Sequence, residues 1–343
     1  MKVRAGFVST GSAFPERVLT NDDLKQWMDT SDEWITIRCG IRQRRIAAPD
    51  EATSDFMARA AQEALTRAGW LATDVEMIIA ATSTPDHLLF PSTGCLVQKK
   101  IGATRAFAFD MNAACSGFAY GVSIADKYIR TGDVKRILLI GGDVMSRYLD
   151  LRDRTTGIIF GDGAGAVCLE ATDDGRGVYS SHLVSMGEFE DLLKVPVGGS
   201  AQPYPDPYAA KSSPSVDWSQ FGDEAPGPTC IHMAGREIFR HAVGSLAEVT
   251  RTVIERAGIT AGDVAWVVPH QANQRSVEAM AKKLDFPMER VAINLDRYGN
   301  TSAGTIPSAL HELVLTDRLQ RGQWVVLTAF GAGLTYGAAA LKW

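Results

Sequence analysis

A fourteen-residue segment of this chain resembles, without a gap, another in its second half, with six identities. Thr66–Ile79 (TRAGWLATDVEMII) and Glu255–Val268 (ERAGITAGDVAWVV) share Arg, Ala, Gly, Ala, Asp and Val in register. Each copy ends a helix at glycine, turns through a polar loop and enters an apolar strand. The order that follows is also kept. A strand (Ala106–Phe109; Val291–Leu295) leads through a loop to an Ala/Ser-rich helix start, and then to a Val/Ile/Leu strand (Arg136–Ile140; Trp324–Thr328). Chance likeness between two helix-turn-strand units is the competing explanation, and the shared register and order count against it. Continuous apolar strands alternating with helices demand mostly parallel sheets covered on both faces. The expected fold is therefore α/β, built from two duplicated halves, residues 1–175 and 230–343, stacked around shared central helices near Ser116 and Ser302. Residues 176–229 would connect them. Part of that connection, 196–229, mixes Pro203, Pro205, Pro207, Pro214, Pro226 and Pro228 with small polar residues. It reads as a long loop that either lines a substrate entrance or elaborates the surface.

Composition narrows the function classes. A net charge of −5 gives no general attraction to nucleic acid, so an anionic partner would need a local basic patch. No apolar run approaches a membrane span. The first ten residues read as a strand rather than a signal sequence. Five cysteines without paired spacing argue against a disulfide framework and for a reducing, cytoplasmic setting.

Of those cysteines, Cys39, Cys95, Cys168 and Cys230 read as small hydrophobes. Cys115 differs. It stands between the apolar Ala106–Phe109, read as a buried strand, and a helix carrying Phe118, Val122, Ala125, Tyr128 and Ile129 at helical spacing. A thiol at a helix start meets unpaired backbone N–H groups and the positive end of the helix dipole, which favour the nucleophilic thiolate. Acyl capture as a thioester is the chemistry this suggests. His270, in Pro269-His270-Gln271-Ala272-Asn273, falls at the C-terminal end of a strand, where open α/β sheets place their chemistry. Asn300 lies in the loop before the second central helix, the place Cys115 holds in the first half, so the duplication brings Cys115 and Asn300 face to face. Neutral His270 and Asn300 can donate hydrogen bonds to an enolate oxygen. Backbone N–H groups of Cys115 and the Gly331–Gly333 loop can hold a tetrahedral oxyanion. Singly, His270 would pass as a core histidine, Asn300 as a turn residue and the glycines as a tight hairpin.

Two further motifs lead elsewhere. Gly161-Asp162-Gly163-Ala164-Gly165-Ala166 runs into a strand, Val167–Glu170, where a dinucleotide-binding loop would run into a helix. No His/Cys/Asp cluster has metal-ligand spacing. Cys, His and Asn also serve cysteine proteases, but the duplicated helix starts favour condensation.

With these residues in hand, the chain resembles the thiolase-fold condensing enzymes, and most closely the β-ketoacyl-acyl-carrier-protein synthase III family. The strings that carry the resemblance are Thr30–Ile35 (TSDEWI), Asn112–Phe118 (NAACSGF), Phe160–Gly165 (FGDGAG), Pro269–Asn273 (PHQAN) and Gly299–Ala303 (GNTSA). The resemblance spans nearly the full length and implies a five-layered α-β-α-β-α core. It implies a catalytic triad of Cys115, His270 and Asn300, with oxyanion donors at the N–H groups of Cys115 and Ala332. Trp34 and Arg154 match the positions that sandwich the CoA adenine, and Arg38 and Asn273 match further CoA contacts. Phe90 matches the residue that closes the partner subunit's acyl pocket, implying a homodimer and a short primer such as acetyl. The reaction implied is decarboxylative condensation of that acyl-CoA with malonyl-acyl-carrier protein, needing no cofactor beyond acyl-CoA as substrate. Arg275, Lys282 and Lys283 lie seven and eight residues apart on one helix face, and with Arg240 they match a patch that docks the acidic carrier protein. Without the resemblance, that patch reads equally as a solvated helix face. Two departures bear on primer choice: Arg236, where the family often has a neutral residue, and the extended Pro-rich segment. A synthase-III-like acyltransferase of secondary metabolism is the main alternative. A thiolase or hydroxymethylglutaryl-CoA synthase would show a second Cys or an added acid, and a non-catalytic partner of a larger synthase would have lost Cys115 or His270.

Overall fold

A computed structural model describes residues 2–203, 226–227 and 229–343. Most of the Pro-rich segment, including Pro205, Pro207, Pro214 and Pro228, lies outside the described residues, and its expected roles lie there with it.

The first half opens with β1 (Arg4–Ala13) and a ribbon of β2 (Val18–Thr20) and β3 (Gln43–Arg45) flanking α1 (Asp32–Cys39). It continues through α2 (Thr53–Ala68), β4 (Met77–Ala81), α3 (Thr93–Ile101), β5 (Phe107–Met111), α4 (Gly117–Thr131), β6 (Arg136–Val144) and β7 (Asp162–Thr172). The second half runs through β8 (Gly177–Ser185), the short pair β9 (Leu193–Lys194) and β10 (His232–Met233), and α5 (Gly235–Ala257). It then passes through β11 (Val264–Pro269), α6 (Gln274–Leu284), α7 (Leu295–Tyr298), α8 (Thr305–Leu315), β12 (Trp324–Gly331) and β13 (Thr335–Lys342).

The first sheet has the order β1-β7-β6-β4-β5 and the second β11-β12-β13-β8. A single parallel bridge between Val267 and Val291 supplies the missing fifth position of the second sheet. With it, the two sheets repeat strand for strand: two parallel neighbours on one side, two antiparallel on the other. The sheets are thus mixed, not mostly parallel. In the second half the cause is plain, because β12 returns to β13 through a few residues after Gly331, and so short a connection permits only antiparallel pairing.

Side-chain alternation builds the layers. Ile137 and Leu139 of β6, Met77 and Ile79 of β4, and Val325, Leu327 and Ala329 of β12 pack into one central core with α4 and α8. Their neighbours Leu138, Ile140, Ile78 and Ala80 face α2 on the outside of the first sheet. Val326 and Phe330 face α5 and α6 outside the second. With a strand period of two, every central strand is apolar on both faces. Three cores between five layers are the α-β-α-β-α arrangement expected.

Three local expectations are corrected. Val291–Leu295 is not a strand: only Val291 bridges, Leu295 begins α7, and the Asn294 backbone N–H donates to the Gln271 side chain at 3.1 Å instead of to a neighbouring strand. β8, inside the segment read as a connection, is the edge strand of the second sheet, paired to β13. β5 is not buried; it is the outer edge of the first sheet, with Phe107 exposed.

Candidate active site

Cys115 is the middle residue of a single 3-10 turn, Ala114–Ser116, that leads directly into α4. Ala114 takes φ 48°, and its N–H donates to Asn112 Oδ1 at 3.0 Å. The second half repeats this device. The turn Ser302–Gly304 leads into α8, Ser302 takes φ 52°, and its N–H donates to Asn300 Oδ1 at 2.8 Å. The repeat therefore pairs Asn300 with Asn112, and Cys115 with Ala303. Asn300 and Cys115 do not occupy equivalent positions, although their loops face each other as expected. Each turn packs against the central strand of the opposite half, Ala114–Ser116 against β12 and Ser302–Gly304 against β6.

Cys115, His270 and Asn300 line one cavity of about 490 Å³. All three are buried, at 6%, 3% and 4% exposure. His270 follows β11 directly, its backbone N–H held by Thr328 O at 2.8 Å. Because Asn300 Oδ1 is engaged by Ser302, the amide presents its Nδ2 donor to the cavity. Burial holds the His270 imidazole down to about 3, against a hydrogen bond to the Ser302 backbone, so the ring is neutral. Its Nδ1 lies 2.7 Å from Thr305 Oγ1.

The thiolate expectation does not hold for the resting site. Burial pushes the Cys115 thiol up to about 12, opposed by a hydrogen bond from the Ser302 side chain and reinforced by the charge of Asp143. Loss of water around the sulfur outweighs the helix start, and the resting group is the thiol. Asp143, on β6, is itself fully buried. It accepts hydrogen bonds from Thr82 Oγ1, Ser83 N, Thr84 N and Thr84 Oγ1 at 2.7–2.9 Å and from Ala303 N at 3.3 Å, while burial raises its carboxyl. This residue ties the first half's strand ends to the second half's turn, and the sequence reading passed over it. A lone carboxylate in the otherwise apolar run Ile137–Val144 was the available signal.

The backbone N–H of Cys115 faces β12 at Gly331, where a Cβ would stand 2.8 Å from Cys115 N and 3.0 Å from Ser116 N. Only glycine leaves room beside those donors. Ala332 shares a second cavity of about 440 Å³ with Cys115, Asn112, Met145, Phe160, Leu193 and Ile231. Cys115 thus borders two spaces, one reaching the surface past polar residues and one lined mainly by apolar side chains.

At the exposed end of the first cavity stand Trp34, Arg38, Arg154, Asn273, Arg236 and Arg275. The guanidinium groups of Arg38 and Arg154 lie 4.1 and 4.2 Å from the Trp34 ring. Asn273 also caps α6, its Oδ1 accepting from Arg275 N at 2.9 Å and its Nδ2 donating to Arg38 O at 3.3 Å. Arg240, Arg275, Lys282 and Lys283 are exposed on the packed pair α5 and α6, with Arg240 ion-paired to Glu237. Phe90 is 80% exposed and lines neither cavity of its own chain. Among the described residues, no helix is long and apolar enough to cross a membrane.

Residues 109–187 match the family model of 3-oxoacyl-(acyl-carrier-protein) synthase III, and residues 254–343 match its C-terminal model. The β-ketoacyl-(acyl-carrier-protein) synthase III of Xanthomonas campestris pv. campestris is 44% identical over 342 residues, covering 100% of this chain and 99% of that protein. The chain belongs to the synthase III family. It is an acyltransferase of the condensing type with the thiolase-like fold. Solved structures agree: the synthase III of Aquifex aeolicus VF5 is 41% identical with a TM-score of 0.88, covering 99% of this chain and 100% of that one. The priming β-ketosynthase of the R1128 polyketide pathway is 30% identical with a TM-score of 0.86, covering 100% and 97%. Family membership makes the reaction the initiating condensation of fatty acid synthesis, between an acyl-CoA and malonyl-acyl-carrier protein.

Proposed function

We propose that Cys115, His270 and Asn300 carry out this condensation, with acetyl-CoA or a similarly short acyl-CoA as primer. The observation that carries the reading is that these three buried groups share one cavity whose far end is aromatic and cationic. Pantetheine would run along it from Trp34, Arg38, Arg154 and Asn273 at the nucleotide end to Cys115. As Sγ attacks the thioester carbonyl, the thiol proton leaves and the departing CoA sulfur gains one, so acyl-Cys115 and CoA thiol result. The N–H groups of Cys115 and Ala332 hold the oxyanion. The acyl chain then occupies the apolar cavity. In the second half-reaction malonyl-carrier loses CO₂, and the electron pair moves into an enolate whose oxygen is held by His270 and Asn300. The carbanion attacks acyl-Cys115, the 3-oxoacyl-carrier leaves, and the sulfur is reprotonated.

Exposed Leu88, Leu89, Phe90 and Phe107, with the open edge of β5, support a homodimer in which Phe90 closes the partner's acyl cavity. The exposed cations of α5 and α6 beside the cavity support docking of an acidic carrier. Soluble substrates of this kind support a cytoplasmic location. The test is to separate the half-reactions: His270→Ala and Asn300→Ala should still form acyl-Cys115 but release CO₂ from malonyl-carrier about 10²–10³-fold more slowly. CO₂ release at the wild-type rate would remove them from the decarboxylation step.

A further inference from the structure

We propose that Asn112 is a specificity-determining residue whose side-chain amide selects a short acyl primer carrying a ketone oxygen along its chain. This rests on the reading above that the acyl group occupies the apolar cavity of about 440 Å³ beside Cys115. Asn112 lines that cavity, three residues before Cys115 in the chain. The orientation of its amide is fixed. Ala114 N and Ser83 Oγ both donate to one atom, each at 3.0 Å, and a backbone N–H needs an acceptor, so that atom is Oδ1. Nδ2 therefore turns away from both, and among the described residues nothing accepts from it. Asn112 is exposed in the single chain, so this donor is open to an incoming ligand.

The other hydroxyls of the cavity have committed their hydrogens. Ser83 gives its own to Asn112. The Thr335 hydroxyl is taken by the carbonyls of Ala113 and Ala332, at 2.9 and 3.0 Å. Ser302 bonds to Cys115 and Asp143. Of the charged residues at the rim, Lys194 is exposed and ion-paired with Asp191, and the Glu190 carboxylate can only accept. Apart from the nucleophile, the Asn112 amide is thus the one uncommitted neutral side-chain donor among the described residues of a largely apolar cavity. The duplication shows the same device in the other half. Asn300, the counterpart of Asn112, has its Oδ1 held by Ser302 N and turns Nδ2 toward the catalytic cavity. Asn112 repeats this toward the acyl cavity. An all-carbon chain there would displace water from Nδ2 and leave the N–H unpaired, whereas a ketone oxygen takes the place of that water.

The experiment uses the full chain and follows acylation of Cys115 by release of CoA thiol. It compares 4-oxopentanoyl-CoA with pentanoyl-CoA, and 5-oxohexanoyl-CoA with hexanoyl-CoA. Each pair has one chain length, so the size of the cavity cancels. In the wild type at least one oxo primer should acylate Cys115 with kcat/KM about fivefold above its all-carbon partner, the effect of one hydrogen bond. Asn112→Asp keeps an oxygen for Ala114 N but sets an acceptor where the amide donor stood, so the oxo primer should become the slower of the pair. Asn112→Ala should abolish the preference. Because the ratio is taken within one variant, any general loss from a loosened turn divides out. No preference for the oxo primer in either wild-type pair would overturn the proposal, and that measurement needs no variant to fold. So would a preference that persists in both variants, or failure of every one of these primers to acylate Cys115. Acetyl-CoA, run beside them, tests the separate assignment of Cys115 as the acyl carrier.

Discussion

At the scale of single residues, the site is a set of neutral groups kept neutral by burial. Cys115 holds its proton and His270 declines one, so neither of these two side chains carries a charge of its own at rest. His270 has a measurable consequence for stability. Its pKa is depressed from 6.5 to about 3 on folding, so the unfolded chain binds a proton that the folded chain refuses. Stability is complete above pH 6.5 and is lost as pH falls from there toward the folded value. Denaturant titrations at pH 7 and pH 5 should show the wild type losing about 2 kcal/mol more than His270→Gln, at ~1.4 kcal/mol per pH unit. Equal losses in the two proteins would mean that the ring titrates normally.

Among elements, the junction of β12 with the Cys115 turn is the sensitive point. A methyl group at Gly331 would stand 2.8 Å from Cys115 N, so Gly331→Ala should slow acyl-Cys115 formation about 10²-fold through loss of an oxyanion donor, with the fold retained. Stopped-flow release of CoA thiol measures this, and an unchanged rate would show that the Cys115 N–H is not used. At the cavity's far end Arg154 lies directly on Trp34, and a base stacked between them needs the pair to part to about 7 Å, twice a stacking contact. Arg154→Ala should raise the acyl-CoA KM about fivefold and leave kcat alone, as expected for an exposed cation–π contact. A fall in kcat instead would place Arg154 in the chemistry.

The same elements show what the sequence made legible. The duplication was visible because Gly69 and Gly258, and Asp74 and Asp263, make identical turns in both halves. Cys115 and Asn300 could be found because each stands in a helix-initiating loop of one copy. The antiparallel return strands could not, since apolar runs look alike in either direction. β8 was hidden by its polar, half-exposed pattern as an edge strand. Asp143 matters only through a contact between the halves, with Ala303, and no local pattern encodes such a contact.

On the scale of the whole molecule, the two halves are interlocked. Each helix-initiating turn rests on the other half's central strand, and one core runs through both sheets. Neither half can hold the site alone. The proposed homodimer would extend the same logic to a second copy: Leu89 is 79% and Phe90 80% exposed, and β5 is an open sheet edge. The paired substitution Leu89→Asp with Phe107→Asp should give a monomer by sedimentation, with condensation lost along with the closure of the acyl cavity. A fully active monomer would separate Phe90 from the partner's pocket.

The central claim is that the acyl group travels on Cys115. Intact-protein and peptide mass spectrometry after mixing with acetyl-CoA tests it most directly. One acetyl group should appear on the peptide carrying Cys115, vanish on addition of malonyl-carrier as 3-oxobutanoyl-carrier forms, and never appear in Cys115→Ala. Acetylation that survives in Cys115→Ala, or an acetyl group on Cys115 that malonyl-carrier leaves in place, would contradict the account.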